Sequence, residues 1–341
     1  MSVLSRAGDG SARAGADLEL VVAELRQAEK LLLTTHENPD GDALGSLLGM
    51  HLVLEQLGKD SAMYMSPGEL PLPHEYRHMK LDGLLGECPA DIDERVVVFL
   101  DCGNIDRMPV DFLRREGTRI LNIDHHHDNT RFGTVNLVAI EASCTAEIVF
   151  GIAAELGARL TPPIAEALYV GLVTDTGRFM YENTSAAAHR MAAELIEAGV
   201  APHALHRRLY EELPFARTQL LARALGSVQR YDDGAITLAR LTREDYRQTG
   251  ALETDSEGVV DHLRAVEGTA VAVLVRDQLC EERGGSRKAS LRSTDGRVDV
   301  SIIARALGGG GHRQAAGFSS RLAPAELVRV IREHVAQQLH G

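Results

Sequence analysis

The sequence contains no tryptophan, and aromatic residues make up only 4% of its 341 residues. It has no apolar run of roughly 18 residues, the length that a membrane-spanning helix needs. Residues 1–16 lack the apolar segment of a signal peptide, so we expect a disordered tail there. These absences argue against a membrane partner and against an export signal.

The four cysteines, Cys88, Cys102, Cys144 and Cys280, show no C-x-x-C spacing, which favours a reduced, cytoplasmic location. Glycine is frequent, with 32 residues, and hydrophobic residues make up 44% of the chain. That content is enough for two domains with cores of their own. Frequent glycine with few aromatic residues favours an α/β protein over a β-sandwich.

The net charge of −13 argues against tight, sequence-independent binding to long duplex nucleic acid. Residues 1–215 contain 18 basic and 33 acidic residues, whereas residues 216–341 contain 18 basic and 16 acidic residues. The acidic part suits binding of cations, and the mildly basic part suits binding of an anion. Surface solvation alone could produce the same bias.

The first chemically informative stretch spans residues 30–57. An apolar run at 30–35 predicts a buried parallel strand, and the apolar spacing of 43–57 predicts a helix with Asp42 near its N-cap. The loop between them carries His36, Asp40 and Asp42, at the strand end where open α/β sheets bind ligands. An Asx turn with a helix cap would explain the two aspartates but leaves His36 without a role.

Two further apolar runs, at 96–100 and 119–123, predict central parallel strands. Asp101 follows the first run, and Asp124, His125 and His126 follow the second. A helix predicted at 163–173 ends close to Asp175. A doubly wound sheet would bring these ends to one edge, so we expect a metal-binding domain over residues 17–185.

The candidate metal ligands are four carboxylates and two imidazoles, without a thiolate: His36, Asp40, Asp42, Asp101, His125 and Asp175. This set suits Mn²⁺ or Mg²⁺ and fits a closed structural zinc site poorly. Four clustered aspartates without cations would repel one another and be forced to protonate, so their convergence indicates two divalent ions. Two ions about 3.5–4 Å apart can activate water and stabilise phosphoryl oxygens.

The sequence leaves two roles open for Asp124, either as a ligand or as an acceptor that orients a histidine, and we favour the second. His127, next to the two histidines, is expected at the surface as a bystander.

The rest of the chain predicts a helical connector over 186–229 and a smaller α/β domain over 230–341. Residues 308–311 form a glycine loop whose N–H groups could approach a phosphate, although a flexible turn is an equal alternative. It is not a P-loop, because no Gly-Lys-Ser/Thr follows. His312 after the loop, and Arg292 and Ser293 at a predicted strand end, favour an anion site.

Five motifs occur in order along the chain: His36-x-x-x-Asp40-Gly-Asp42, Asp101-Cys-Gly, Asp124-His-His, Gly171-x-x-x-Asp175-Thr-Gly and Gly308-Gly-Gly-Gly-His312. In this order and spacing they resemble the DHH phosphoesterases with a C-terminal DHH-associated domain. The resemblance covers nearly the whole chain after the tail.

The resemblance implies a site with two Mn²⁺ ions, for which Mg²⁺ could substitute. One ion would be held by His36, Asp40 and Asp101, and the other by Asp42, Asp101, His125 and Asp175. Asp101 would bridge the ions. The catalytic group would consist of Asp101, Asp124 and His126, with His126 near the scissile phosphate. The far part of the substrate would be held from the second domain, across a cleft, by Arg292, Ser293, Gly309, Gly310, Gly311 and His312.

The length and two-domain plan resemble the bacterial branch that degrades RNAs of two to a few nucleotides and dephosphorylates 3′-phosphoadenosine 5′-phosphate (PAP). Some members of that branch also act on cyclic or linear dinucleotides such as c-di-AMP and pApA. The single-strand exonuclease branch carries extra domains, and the membrane-bound cyclic-dinucleotide hydrolases carry membrane spans, so we expect neither.

Two alternatives stay open. A manganese-dependent inorganic pyrophosphatase of the same superfamily would lack the glycine loop and its histidine. A nucleotide-sensing module without turnover would lack part of the ligand set. The substrate preference, the cleavage polarity, the native metal and the oligomeric state, with a homodimer among the alternatives, also stay open.

One position departs from the family pattern. Cys144 stands where we expect a small hydroxyl residue, just before a helix predicted at 145–156. We expect the side chain of Ser143 or Thr145 to cap that helix instead.

Overall fold

A computed structural model describes residues 9–279, 286–294 and 296–340. The chain divides into two compact units, and the division falls between Glu211 and Glu212. Each unit has its own sheet, of five strands in the first and six in the second. The predicted fold class, a parallel α/β domain followed by helices and a smaller α/β domain, is confirmed.

The first unit contains a parallel sheet of order β2-β1-β3-β4-β5. Its strands are β1 Lys30–Thr34, β2 Asp60–Met63, β3 Val96–Leu100, β4 Ile120–Asp124 and β5 Val135–Val138. Its helices are α1 Asp9–Gln27, α2 Gly41–Gln56, α3 Thr145–Glu155, α4 Pro162–Asp175, α5 Ala186–Glu197 and α6 Pro202–Tyr210.

The central strand β3 is apolar throughout because both faces of the sheet are covered. Within β3, Val98 and Leu100 belong to the large core cluster with the helices, whereas Val97 and Phe99 belong to a smaller cluster on the other face. Successive residues of a strand point to opposite faces, so a strand buried on both faces is a continuous apolar run.

The parallel arrangement also fixes where the polar residues lie. Asp101 directly follows β3, and Asp124 is the last residue of β4. β1, which pairs with β3, leads into the loop before α2. All three strands run in the same direction, so these chain segments meet at one edge of the sheet.

Two features of the first unit differ from expectation. α1 begins at Asp9, so residues 9–16 of the predicted tail are helical, while residues 1–8 lie outside the described residues. Three alanines in this segment favour helix, and the helix continues into the buried residues Leu18, Val21 and Leu25. The short strand β5, at the sheet edge, was not predicted.

The second unit contains a mixed sheet of order β10-β11-β9-β8-β7-β6, in which only β7 and β8 pair in parallel. Its strands are β6 Gln229–Tyr231, β7 Ile236–Leu241, β8 Val271–Asp277, β9 Arg287–Ser293, β10 Gly310–Gly311 and β11 Ala315–Ser320. Its helices are α7 Phe215–Gly226, α8 Arg243–Thr249, α9 Val259–Arg264, α10 Val300–Ala306 and α11 Pro324–His340.

The segment 186–229, predicted as a helical connector, contains helices α5 and α6 in the first unit and α7 in the second. α5 packs against α4, and α7 packs against α8 and β7. None of the described helices is both long and apolar enough to cross a membrane.

The glycine run is part of a β-hairpin, although the sequence predicts a loop. Gly311 pairs with Ala316 of the unpredicted strand β11 and has a φ of 132°, in the region that favours glycine. A Cβ atom on Gly309 would lie 2.1 Å from the backbone oxygen of Gly317. The close approach of the two sides of the hairpin therefore requires glycine at positions 309 and 311, whether or not the hairpin binds an anion.

Candidate metal centre

The loop between β1 and α2 places three of the predicted ligands. His36 is buried, at 3% exposure, and its Nδ1 lies 2.8 Å from the backbone oxygen of Glu37. The sequence predicts Asp42 near the N-cap of α2, whereas Asp40 is the N-cap. Asp40 Oδ1 accepts hydrogen bonds from the N–H groups of Asp42 and Ala43, at 3.0 and 3.1 Å.

Asp42 lies in the first turn of α2 and points into the N-terminus of α3. Its Oδ2 accepts from the N–H of Thr145 at 2.7 Å, and its Oδ1 accepts from the N–H of Ala146 at 2.9 Å. Ser46 donates to Oδ1 from the next turn, at 3.3 Å. N–H groups at a helix N-terminus have no partner within the helix and favour an anion, so the start of α3 holds the Asp42 carboxylate in place.

Helices α2 and α4 pack closely together, and glycines at their contact leave room for the Asp42 side chain. A Cβ atom on Gly45 would lie 2.5 Å from the backbone oxygen of Ala167. A Cβ atom on Gly171 would lie 2.8 Å from Asp42 Oδ1. The glycine in the motif Gly171-x-x-x-Asp175 therefore leaves room for a ligand on the neighbouring helix.

Asp101 lies at the centre of the site. Its φ of 57° is in the left-handed region, which aspartate tolerates better than most residues. Asp101 Oδ2 lies 3.5 Å from His36 Nε2, and Asp101 Oδ1 lies 3.7 Å from His125 Nε2. The two oxygens of one carboxylate thus face two different histidines.

His125 and Asp175 complete a second group around Asp42. His125 Nε2 lies 3.9 Å from Asp42 Oδ2 and 3.7 Å from Asp175 Oδ2. Asn183 donates to Asp175 Oδ2 at 3.1 Å and to the backbone oxygen of Ser143 at 2.8 Å. Asn183 thereby ties the end of α4 to the start of α3.

Among the described residues of the first unit, potential ligand atoms form three groups, each with its atoms within 4.8 Å of one another. All six metal ligands predicted from the sequence belong to the first two of these groups. The groups are His36 with Asp40 and Asp101, Asp42 with His125 and Asp175, and Asp101 with Asp124 and His126.

In the third group, His126 and Asp124 form a direct hydrogen bond. His126 Nδ1 lies 2.6 Å from Asp124 Oδ1, and the side chain of Asn129 donates to Asp124 Oδ2 at 2.5 Å. Asn129 also donates to Asn122 Oδ1 at 2.8 Å. This is the arrangement expected of an acceptor that orients a histidine, the role favoured for Asp124. His127 is exposed, as expected.

The pKa values of two carboxyl groups reflect the negative charge that is concentrated at the site. Burial, with the charges of Asp101 and Asp175, raises the pKa of Asp42 well above its usual value. Burial likewise raises the pKa of Asp175 to about 6. A divalent cation would favour the ionised form of both carboxylates.

The pKa values of His125 and Asp101 are shifted in the sense expected of ion pairs. Burial opposes the charged form of His125, but Asp175 and Asp101 outweigh it and raise the pKa of His125 to about 9. Burial also opposes ionisation of Asp101, but the His36 hydrogen bond and the charge of His126 hold its pKa well below the usual range. A donor set of carboxylates and imidazoles, in which Asp40 alone is exposed, fits hard or borderline divalent ions such as Mg²⁺ and Mn²⁺.

The start of α3 differs from expectation. Its N-cap is Cys144, which makes no capping bond through its side chain. The hydroxyl of Thr145 donates to Asp101 Oδ1 at 3.0 Å, and Ser143 Oγ lies 3.3 Å from Ser185 Oγ. The expectation that Ser143 or Thr145 caps this helix is therefore wrong, because both hydroxyls contact side chains from other parts of the chain.

Sequence reasoning missed the polar residues behind the ligands, namely Ser46, Asn129, Thr145 and Asn183. For Asn129 a signal exists, since it follows the histidine motif within five residues of Asp124. Thr145 and Asn183 contact the site only through the tertiary fold.

The predicted anion-binding residues lie at one end of the second sheet. Arg292 on β9 is opposite Ala315 on β11, and the next residue, Ala316, is opposite Gly311 on β10. Arg292 Nε lies 3.6 Å from Asp261 Oδ1, and the Arg292 side chain is 27% exposed. The sheet therefore brings Arg292 and the glycine hairpin together.

Two further predicted residues continue this end of the sheet. Ser293 is buried, and its backbone N–H donates to the backbone oxygen of Gln314 at 2.9 Å. The N–H of His312 donates to the backbone oxygen of Ala315 at 2.7 Å.

Comparison with known proteins agrees with these two units. Residues 30–172 match the DHH family, N-terminal domain, and residues 236–341 match the DHHA1 domain. The chain is 35% identical over 311 residues to the bifunctional oligoribonuclease and PAP phosphatase NrnA of Thermus thermophilus, covering 87% of this chain and 86% of that protein. The resemblance inferred from the motifs is confirmed.

Solved structures share the fold. A crystal structure of an exopolyphosphatase-related protein from Bacteroides fragilis superposes with a TM-score of 0.81 at 25% identity, covering 95% of this chain and 96% of that one. RecJ of Thermus thermophilus, in complex with Mn²⁺, superposes with a TM-score of 0.54 at 15% identity. That match covers 94% of this chain and 55% of RecJ.

Proposed function

This chain belongs to the DHH family of phosphoesterases, and on that premise we propose that it hydrolyses RNAs of two to a few nucleotides and dephosphorylates PAP. The convergence of six carboxylate and imidazole ligands, Asp101 among them, carries this proposal. The Thermus relative, named an oligoribonuclease and PAP phosphatase, supports the choice of substrate class because its similarity extends over both units.

The two ligand groups would hold a pair of divalent cations, with Asp101 contributing to both. His36 and Asp40 would complete one position, and Asp42, His125 and Asp175 would complete the other. Mn²⁺ is the proposed native ion and Mg²⁺ a weaker substitute, since both accept this oxygen and nitrogen donor set. When bound, such a pair supplies positive charge to the phosphoryl oxygens and lowers the pKa of water.

His126 would contact the scissile phosphate, and the chain prepares it for that role. Asp124 accepts the hydrogen bond from Nδ1, which fixes the tautomer and the orientation of the imidazole. Burial opposes the charged form of His126, but the charge of Asp124 and its hydrogen bond raise the pKa of the imidazole. A protonated His126 would offer a charge-assisted hydrogen bond to a phosphate oxygen.

The second unit would bind the part of the substrate away from the scissile bond. The guanidinium of Arg292 suits bidentate binding of a phosphate, and the N–H groups of a glycine hairpin admit close approach of an anion. Arg292 and Gly311 share one end of the second sheet, which supports a common role. Ser293, Gly309, Gly310 and His312 would complete this subsite.

The finer substrate choice is part of the proposal. Cyclic and linear diadenylates are candidate substrates alongside dinucleotide RNA and PAP. Inorganic pyrophosphate is disfavoured, since the DHHA1 match over 236–341 includes the glycine run that a pyrophosphatase would lack. A sensing module is disfavoured because all six of the expected ligand side chains are present and belong to the two ligand groups.

A substrate panel tests the proposal. Purified protein would be assayed with Mn²⁺ or Mg²⁺ on dinucleotide RNA, a 20-nucleotide RNA, PAP, c-di-AMP, pApA and pyrophosphate. We expect fast cleavage of dinucleotide RNA, release of phosphate from PAP and slow cleavage of the long RNA. Exclusive turnover of pyrophosphate, or no turnover of any substrate, would contradict the proposed function.

A further inference from the structure

Thr145, the first residue of α3, contacts two of the metal-group carboxylates at once. Its backbone N–H donates to Asp42 Oδ2 at 2.7 Å, and its hydroxyl donates to Asp101 Oδ1 at 3.0 Å. The residue is fully buried. Because Cys144 is the N-cap, the Thr145 hydroxyl is not used to cap the helix.

The hydroxyl restrains the rotation of the Asp101 carboxylate. The terminal torsion of an aspartate side chain is broad, so the carboxylate plane is set by directional contacts. The bond from Thr145 holds Oδ1 on the side of His125, which leaves Oδ2 on the side of His36. Threonine suits this task because its β-branched side chain has few χ1 rotamers.

The hydrogen bonds from the backbone of α3 to Asp42 also restrict the position of the Thr145 hydroxyl. Asp42 accepts from the N–H groups of both Thr145 and Ala146, so the start of α3 is tied to α2. The Thr145 hydroxyl is attached to that same fixed backbone. One residue therefore sets the distance between the Asp42 carboxylate, in one ligand group, and the Asp101 carboxylate, shared with the other.

We propose that Thr145 is a positioning residue for metal binding, which keeps one oxygen of Asp101 turned to each ligand group so that two cations bind as a pair. This inference rests on the proposed two-metal function. Partners that orient a metal ligand typically change metal affinity by about 10–100-fold when they are removed. We expect an effect of that size from the loss of one hydroxyl.

The test compares full-length variants at this position by titrating Mn²⁺ into the EDTA-stripped protein in a calorimeter. Thr145→Val keeps the branched shape and removes the hydroxyl, whereas Thr145→Ser keeps the hydroxyl and removes a methyl group. We expect Thr145→Val to bind at least one Mn²⁺ about 10–100-fold more weakly than wild type, and Thr145→Ser to retain most of the affinity. Thr145→Ala replaces the valine variant if the latter does not fold.

A matched control removes a buried hydroxyl elsewhere. Thr237 of the second unit is buried and its hydroxyl lies 2.6 Å from that of Thr269. Thr237→Val should bind Mn²⁺ as wild type does, and circular dichroism of the metal-free proteins should show the same secondary structure for all folded variants.

The outcomes distinguish a failure of the role proposed for Thr145 from a failure of the proposed two-metal function. Wild-type affinity and two ions in Thr145→Val would overturn the role of Thr145 while leaving the proposed function intact. Equal losses in Thr145→Val and Thr145→Ser would also overturn it, because the hydroxyl would not be the determinant. Failure of the wild-type protein to bind two ions would overturn the two-metal function and, with it, this inference.

Discussion

The two units differ in how firmly their candidate functional side chains are held. In the first unit, Asp42 accepts three hydrogen bonds and Asp124 accepts bonds from both His126 and Asn129. In the second unit, Arg292 is 27% exposed and lies 3.6 Å from Asp261. The candidate ligand Asp42 and the Asp124–His126 pair are thus held by neighbouring groups without a cation, whereas the proposed substrate-binding arginine is partly exposed.

This difference suits two different tasks. A metal pair needs its ligands in one geometry, and preorganised ligands reduce the cost of binding. A subsite for several short nucleotides has to accept different groups, so a partly exposed arginine on a strand is adequate. Mutations should therefore act on metal binding in the first unit and on substrate binding in the second.

The largest effect is expected from Asp101→Asn. The amide would place a nitrogen where the second carboxylate oxygen faces a ligand group, so one cation would lose a charged ligand. We expect kcat/KM on dinucleotide RNA to fall by more than about 100-fold, exceeding the effect of removing a residue behind a ligand. Steady-state kinetics and metal analysis would measure it.

The control for this variant is Asp93→Asn, since the Asp93 side chain is 88% exposed and lies 3.5 Å from Arg115. It should behave as wild type. Two tightly bound ions and near-normal kcat in Asp101→Asn would show that Asp101 does not bridge the ligand groups.

Arg292→Ala should affect substrate without affecting metal. Loss of a charged bidentate partner should raise the activation free energy calculated from kcat/KM by about 2–4 kcal/mol. The loss should appear as a higher KM and a lower kcat. His312→Ala should cost somewhat less. Calorimetric Mn²⁺ affinity should stay at the wild-type value in both variants.

Arg329→Ala is the matched control in the same unit, because the Arg329 side chain is 59% exposed and pairs with Glu333. Its kinetics should match wild type. A normal kcat/KM in Arg292→Ala, or a loss of Mn²⁺ binding in that variant, would remove the proposed division between the units.

Cation binding should stabilise the first unit in particular. At a free Mn²⁺ concentration of 100 times Kd, an ion that binds only the folded form adds about 2.7 kcal/mol. Hydrogen exchange should slow at the start of α2 and α3 and stay unchanged in β7 and β8. A uniform change across both units, or none, would argue against a metal site confined to the first unit.

The smallest effect is expected from Asn129→Ala. Without the Asn129 donor, Asp124 Oδ2 loses a hydrogen bond in a buried setting, at a cost of about 1–2 kcal/mol. Because Asp124 orients His126, we expect this cost to appear in kcat, with Mn²⁺ affinity unchanged. An unaltered kcat would show that the Asp124–His126 pair does not need this support.

The candidate ligands Asp101 and His125 could be placed at one sheet edge from the sequence because each follows a mostly apolar, buried strand. The runs before Asp101 and Asp124 could be identified as β3 and β4 from their composition alone. The local pattern does not decide between Asp40, the N-cap in the structure, and Asp42, because both aspartates flank the same glycine and either can cap a helix.

Other features depend on contacts that no local pattern contains. Thr145 and Asp101 are 44 residues apart, and Thr145 and Asp42 are 103 residues apart. Strand β11 is built mainly from alanine, glycine and serine, which have low strand propensity, so its pairing with β9 decides its structure. The glycine run consequently resembled a loop.

The most direct test of the central claim is hydrolysis of dinucleotide RNA before chelation, after exhaustive treatment with EDTA and after return of Mn²⁺. The ligand groups around Asp101 predict that activity disappears on chelation and returns with Mn²⁺, less effectively with Mg²⁺. Undiminished hydrolysis by protein shown to contain no divalent metal would contradict the two-metal assignment.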